Sequence, residues 1–299
     1  MNETIRNHYL AFSEFTFPGG YLAYLRDSLP NDIPEIGKLI CTQTIHRMVL
    51  KKGNTGSNTD LRYGDMTKVP WYRQCEDDIF PTASAMIAEL FRRDPRGFVL
   101  DRQEKDKLIL TCRADAVLTA AALKSKGIPT RVRSGFASYF EVEGLPKGTS
   151  DDHWLNEYWS DKEKRWIMID VDGCLEPYLK FDPFDVPAGV FDYSADAWLG
   201  VREGKVDGSH FYNAGGHSGL QVIAWELFYD FHCLMNSESI YLHTPPITFF
   251  ANFPKLTDTQ LSEIDELARL MQKPDGNFVE LQKLWDHKRE FRILGGGVL

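Results

Sequence analysis

The stretch "LTCRADAVLTAAALKSKGIPTRVRSGF" (110–136) decides the predicted fold. From Ala114 to Leu123 nearly every residue is Ala, Val or Leu, which is typical of a helix buried on most of its faces. Gly127 suits the left-handed position just past a helix end, and Pro129 prevents the helix from continuing. The segment Thr130–Phe140 is rich in β-branched and aromatic residues. The stretch therefore predicts a buried helix that leads directly into a strand.

Two further strands are predicted downstream. The segments "HWLNEYW" (His153–Trp159) and "RWIMIDVD" (Arg165–Asp172) have strand composition, and the polar "SDKEK" between them is typical of a hairpin connection. Upstream, the pattern of "EIGKLICTQTIHRMVLKK" (35–52) predicts a helix. Because helices come first and strands then follow one another, the order favours an α+β fold over an alternating βαβ arrangement.

The C-terminal part is predicted to be mainly helical. The apolar segment "GLQVIAWELFYDFHCLMN" (219–236) indicates a buried helix, Thr257 and Gln260 indicate a capping box, and Asn277 is predicted to cap a further helix. We accordingly divide the chain into an N-terminal mixed segment packed on the core (1–75), a catalytic core (76–180) and a mainly helical C-terminal region (181–299).

Composition excludes several classes of protein. The 299 residues include 34 basic and 43 acidic ones, and the net charge of -9 argues against a nucleic-acid-binding surface. The N-terminus lacks the pattern of a signal peptide, and no apolar run is long enough to cross a bilayer. We therefore expect a cytoplasmic protein without nucleic-acid or membrane partners; its oligomeric state is left open.

The cysteines and histidines do not indicate a metal site or a disulfide framework. The cysteines are widely spaced, odd in number and form no CxxC motif, at Cys41, Cys75, Cys112, Cys174 and Cys233. His210 and His217 lie in a glycine-rich segment with no third ligand nearby in the sequence. No metal and no cofactor is therefore predicted, and each cysteine is first interpreted as a small buried residue.

Cys112 differs from the other cysteines because it begins the predicted buried helix. Backbone N–H groups and the helix dipole stabilise a thiolate at a helix start, and the same N–H groups can bind an oxyanion. His153 and Asp170 lie at equal distances from the point between Asp161 and Lys162. If the hairpin loop is symmetric and even-numbered, the two residues are directly opposed, with Cβ atoms about 4.5–5.5 Å apart. Asp172 is the rival for the role of Asp170.

These segments together resemble the core of the transglutaminase-like superfamily, which has a papain-like fold. The resemblance is carried by "CRADAVLTAAALKSKGIPTRVRSGF", "DHWLNEYW" and "RWIMIDVD", and covers roughly residues 108–172. It implies Cys112 as nucleophile, His153 as general base and Asp170 as the residue that orients the histidine. The backbone N–H of Cys112 is expected to bind an oxyanion, with Trp71 as a side-chain candidate.

The resemblance implies cysteine-dependent chemistry on an amide or acyl group through a thioester. The product is a hydrolysed peptide or amide when water is the acceptor, and an acyl-transfer product when an amine is the acceptor. The protein is thus expected to be a hydrolase (protease or amidase) or an acyltransferase of bacterial type, acting on a peptide or a small amide or acyl substrate. The alternative is a catalytically inactive binding protein or interaction module with the same fold.

Overall fold

The computed structural model describes residues 1–47, 68–70, 73, 76–140, 146, 148–175, 179–241 and 243–295. Its α-helices are α1 (Glu3–Leu10), α2 (Leu22–Ser28), α3 (Ile33–Cys41), α4 (Ala83–Arg93), α5 (Cys112–Ser125), α6 (Ser194–Arg202), α7 (Leu220–Leu234), α8 (Asp258–Met271), α9 (Phe278–His287) and α10 (Arg289–Arg292). Its strands are β1 (Thr44–His46), β2 (Leu108–Leu110), β3 (Thr130–Ala137), β4 (Ser150–Ser160), β5 (Arg165–Ile169), β6 (Phe191–Tyr193) and β7 (Phe211–Tyr212). Within these residues, no helix has the length and apolar character that a bilayer crossing needs.

The sheets confirm the predicted α+β class. The larger sheet has the strand order β5-β4-β3-β6, with antiparallel pairing of β4 with β5 and of β3 with β6. Strand β7 joins it by parallel pairing with β4. Strands β1 and β2 form a separate parallel pair. Helix α6 lies between β6 and β7, and helices α7 to α10 follow the last strand, so the C-terminal part is mainly helical as predicted.

The chain divides into two compact units. The first, which we call the cysteine unit, comprises Arg6–Val132 and Leu155–Pro187. Its core is formed by α2, α3 and α4 packed on α5, together with residues of β5. The second, which we call the C-terminal unit, comprises Met1–Ile5, Arg133–Trp154 and Ala188–Leu299. Its helix α6 packs on α7 and α8.

Helix α5 confirms the prediction from the alanine-rich stretch. It begins at Cys112, every one of its residues is buried, and Gly127 beyond its end has a φ of +76°. The small alanine side chains allow neighbouring helices to approach on several faces, which is why a helix of this composition is surrounded by protein. The amide of Asn156 in β4 donates a hydrogen bond to the carbonyl of Ala116 on α5, at 2.9 Å.

The hairpin between β4 and β5 has a different register from the predicted one. Ser160 pairs with Arg165 and Asn156 with Ile169, so the four-residue loop is Asp161–Lys164. Lys164 adopts a φ of +55°, and its N–H donates to the carbonyl of Ser160. The loop is symmetric and even-numbered, as expected, but its centre lies one residue further along the chain. Each residue of β4 is therefore paired two positions later in β5 than predicted, and the argument that opposed His153 to Asp170 no longer holds.

The prediction of one helix over residues 35–52 is wrong from Thr42 to His46, and residues 48–52 lie outside the described part of the chain. Helix α3 ends at Cys41, and β1 begins at Thr44. Consecutive β-branched residues at Thr44 and Ile45 favour extended backbone. The side-chain amide of Gln43 donates to the carbonyls of Leu39 and Val99, at 2.7 and 2.8 Å, which holds the chain where it changes direction.

Candidate active site in the cysteine unit

The parallel strands β1 and β2 bring a histidine and a cysteine together. His46, the last residue of β1, pairs with Leu110, the last residue of β2. Parallel strands end at the same edge of a sheet, so residues that follow β2 lie beside the end of β1. Cys112 comes two residues after Leu110, and it is close enough to His46 to raise the pKa of the imidazole.

Cys112 is the first residue of α5. The residue before it, Thr111, has the extended backbone of an N-cap but makes no capping hydrogen bond with its side chain. Its hydroxyl instead donates to Oδ1 of Asp77 at 2.5 Å, and its N–H donates to Oδ2 of Asp77 at 3.1 Å. The start of α5 is therefore fixed from outside the helix, and the positive end of the helix dipole lies at Cys112.

Asp172 completes the arrangement around His46. It begins a 3₁₀ turn, Asp172–Leu175, that packs on α3 and α5. Its Oδ2 lies 3.8 Å from Nε2 of His46, and the side chains of His46 and Asp172 are 19% and 12% exposed. Cys112 is only 4% exposed. The cysteine unit thus brings a thiol, an imidazole and a carboxylate close together. The side chains of His46 and Asp172 retain some access to solvent.

The charges around His46 determine its protonation state. Burial alone lowers the pKa of an imidazole, because it disfavours the charged form. Here the Asp172 carboxylate and the hydrogen bond with Cys112 outweigh burial and raise the pKa of His46 to about 10. His46 is therefore protonated at neutral pH.

Asp115, one helical turn after the start of α5, is also part of this site. Burial, and then repulsion by the Asp172 carboxylate, raise its pKa well above the ordinary value, although Thr44 donates to its Oδ2 at 3.2 Å. Two carboxylates that share a buried site favour protonation of one of them. Protonation is therefore favoured at Asp115, the more deeply buried of the two carboxyl groups.

Asp170 holds the turn that carries Asp172. Its side chain is fully buried, and its Oδ1 accepts a hydrogen bond from the N–H of Gly173 at 2.9 Å. A Cβ atom at Gly173 would lie 2.5 Å from Oδ2 of Asp170, so only glycine allows the backbone to approach the carboxylate this closely. This contact gives Asp170 a structural role that the sequence did not predict.

The predicted site residues fall in different units. Cys112 and Asp170 belong to the cysteine unit, whereas His153 belongs to the C-terminal unit. His153 lies on β4 and is buried, with its ring centroid 4.6 Å from that of Phe140 and 6.2 Å from that of Tyr139. The role of His153 as base, with Asp170 as its orienting residue, stays a prediction.

The remaining cysteines and histidines of interest have separate environments. The neighbouring Cys174 and burial together raise the pKa of Cys41 well above its ordinary value. Cys233 is buried on α7. In the described part of the chain, no group of three or more metal-ligating side chains is present. Cys75 and Trp71 lie outside the described residues.

Sequence analysis missed His46, because it lay within a segment interpreted as a helix. The signal that marks it is the pair of β-branched residues before it, Thr44 and Ile45, which favours a strand. A strand ending at His46 becomes informative only when it is paired with the strand before Cys112. No protein-family model matches the chain, and no curated protein does so either. The resemblance to the transglutaminase-like superfamily stays a prediction.

Proposed function

We propose that the protein is a cysteine-dependent enzyme that transforms an amide or acyl group through a thioester on Cys112. The observation that carries the proposal is the pairing of β1 with β2, which brings His46 to the edge of the sheet where Cys112 begins α5. A thiolate is the reactive form of cysteine, and both a helix N-terminus and a neighbouring imidazolium stabilise it. The two local features therefore favour the same activated nucleophile.

The chemistry proceeds in two steps. The Cys112 thiolate attacks the substrate carbonyl, the S–C bond forms, and the carbonyl electron pair moves to oxygen; collapse then expels the amine or alcohol, which takes a proton from an imidazolium. Water or an amine next attacks the thioester and restores the thiol. The transglutaminase-like and papain-like resemblance supports the same reaction class. In that resemblance His153 and Asp170 hold the roles of base and orienting residue.

Acylation of Cys112 tests this proposal. The protein is mixed with p-nitrophenyl acetate, quenched in acid and analysed as peptides by mass spectrometry, while release of p-nitrophenol is followed in parallel. We expect acetylation at Cys112 and a loss of about 100-fold or more in p-nitrophenol release for Cys112→Ala. Cys233→Ala is the matched control, since it removes a buried thiol at the far end of another helix.

A second addition separates the two product classes. Adding a primary amine to the acetylated protein gives an amide if the enzyme is an acyltransferase, and leaves only acetate if it is a hydrolase. If acetylation is equal in wild type and Cys112→Ala, the proposed function is wrong, and a catalytically inactive binding protein is the better account.

A further inference from the structure

His46, Cys112 and Asp172 lie close together at the start of α5. His46 lies outside the segments that carry the family resemblance, and Asp172 is the last residue of those segments. His46 ends β1, and Asp172 begins the 3₁₀ turn after β5. Nε2 of His46 lies 3.8 Å from Oδ2 of Asp172, and the pairing of His46 with Leu110 places the imidazole at the sheet edge from which the chain continues to Cys112. A histidine placed between a thiol and a carboxylate has the geometry of a base with its orienting group.

We propose that His46 is the proton carrier of Cys112 and that Asp172 is the positioning residue that holds His46. This inference rests on the proposed function, because it concerns the same thiol. In the resting enzyme the proton lies on His46 and the electron pair on Sγ of Cys112. During acylation His46 donates this proton to the leaving group; during deacylation it takes a proton from the attacking water or amine, and the thiolate leaves the acyl carbon.

The surrounding charges favour this resting state. Among the described residues, the ionisable groups that act on His46 are Asp172 from the 3₁₀ turn and Cys112 and Asp115 from α5. Burial and the Asp172 carboxylate raise the pKa of Asp115, and both carboxyl groups contribute to the raised pKa of Cys41 on α3. Of the charged groups that act on His46, Asp172 has the largest effect. A positively charged His46 is stabilised by the negative charges of the Asp172 carboxylate and of the Cys112 thiolate.

The close contact between Asp170 and Gly173 supports the position of Asp172. The N–H of Gly173 donates to Asp170, and this bond fixes the turn at the residue next to Asp172. A carboxylate on a fixed turn keeps the imidazole in one orientation at little entropic cost. Asp170 thus acts on the site through Asp172.

The pH dependence of alkylation tests the inference without any substrate. The rate at which iodoacetamide labels the Cys112 peptide is measured from pH 4 to pH 10. In wild type we expect an inflection below about pH 7, whereas a free cysteine has a pKa of about 8.5. His46→Gln keeps a hydrogen-bond donor but cannot hold the charge, and we expect its inflection to rise by about 2 pH units. Asp172→Asn should give a shift of about 1 pH unit in the same direction.

Two controls make the result decisive. His153→Gln should leave the inflection unchanged, and the buried Cys233 peptide, read in the same samples, should stay unlabelled in every folded variant. If His153→Gln raises the inflection and His46→Gln does not, the inference is overturned and the resemblance-based triad is favoured. If the Cys233 peptide becomes labelled in His46→Gln, that variant is not correctly folded, and Asp172→Asn is used in its place. An unchanged alkylation inflection in Asp172→Asn then overturns the inference.

The alkylation test and the acylation test distinguish failure of the inference from failure of the proposed function. Alkylation that depends on His46 without acetylation of Cys112 would contradict the proposed function and leave the inference standing. Acetylation of Cys112 with an alkylation profile that is independent of His46 and Asp172 would contradict the inference alone.

Discussion

His46 and His232 are both withdrawn from solvent, but burial has opposite outcomes for them. At His232, on α7, burial lowers the pKa to about 4, although a 2.9 Å hydrogen bond with the carbonyl of Phe291 opposes this shift. At His46 burial also lowers the pKa, but Asp172 and Cys112 raise it to about 10. The comparison indicates that a histidine whose partner is a neutral carbonyl has a structural role, whereas one beside carboxylates and a thiol is a candidate for chemistry.

The two helices concerned show the same difference. On α7 the buried carboxylates have matched partners: Asp230 forms an ion pair with Arg133 at 2.8 Å, and Glu226 is hydrogen-bonded to the hydroxyl of Ser134. On α5 the buried Asp115 faces another acidic residue, Asp172. The acidic groups of α7 thus face a basic or hydroxyl partner, whereas Asp115 of α5 lies close to a second carboxylate.

The largest effect is expected at the matched pair on α7. Asp230→Ala leaves the buried Arg133 guanidinium without its carboxylate, and we expect the free energy of unfolding to fall by about 3–5 kcal/mol. Urea unfolding followed by circular dichroism measures this change. Asp185→Ala, which removes the exposed partner of Arg165, is the control and should change stability by less than about 1 kcal/mol. Equal losses for the two variants would show that the α7 pair is not buried as described.

The next effect concerns the pH dependence given by His232. Its pKa is lower in the folded state, about 4, than in the unfolded state, so the unfolded chain binds the proton first as the pH falls. Above about pH 6.5 the neutral His232 contributes fully to the free energy of unfolding. As the pH falls from 6.5 to about 4, this contribution of about 3 kcal/mol is lost. His232→Gln should therefore lose less stability than wild type on acidification. If the free energy of unfolding falls equally with pH in wild type and in His232→Gln, this prediction is contradicted.

A smaller effect is expected from the close contact below Asp172. Gly173→Ala places a Cβ atom against the Asp170 carboxylate, and we expect a loss of about 1–3 kcal/mol together with a rise in the alkylation inflection of Cys112. Gly20→Ala is the control, since a Cβ atom there meets no atom within 4 Å among the described residues. A Gly173→Ala protein with unchanged stability and inflection would contradict the role of this turn.

The smallest effect on the alkylation of Cys112 is expected at Asp115. Burial and the nearby Asp172 carboxylate favour the protonated form of its carboxyl, and Asp115→Asn imitates that form. We therefore expect the alkylation inflection to stay near that of wild type. A folded-state pKa raised above the unfolded value of about 3.9 removes stability as the pH rises between these two values, so the Asn variant should lose less stability than wild type as the pH rises above about 4. A shift as large as that of Asp172→Asn would show that Asp115 is charged.

Sequence predicted the parts of the fold that local chemistry determines. The start of α5 at Cys112 and the left-handed Gly127 follow from composition and backbone preference. The capping box of Thr257 and Gln260 begins α8 as predicted, whereas Asn277 occupies the N-cap of α9 without a side-chain capping bond. In each confirmed case the deciding interaction lies within a few residues along the chain.

The site depends on interactions that such patterns do not contain. Cys112 was identified because a helix start is a local feature, but His46 is 66 positions earlier in the chain and reaches it only through the pairing of β1 with β2. The hairpin register was also beyond the sequence, because the left-handed Lys164 moves the loop centre by one residue. A one-residue change at a loop was enough to remove the geometric argument for opposing His153 to Asp170.

The protonation states of His46 and His232 test the account most directly. They are measured by NMR titration of histidine side chains labelled with ¹³C and ¹⁵N, with signals assigned through His46→Gln and His232→Gln. The account predicts that His46 remains protonated above pH 8 and that His232 remains neutral down to about pH 5. A His46 signal that titrates at or below about pH 6.5, the ordinary value for histidine, would contradict it.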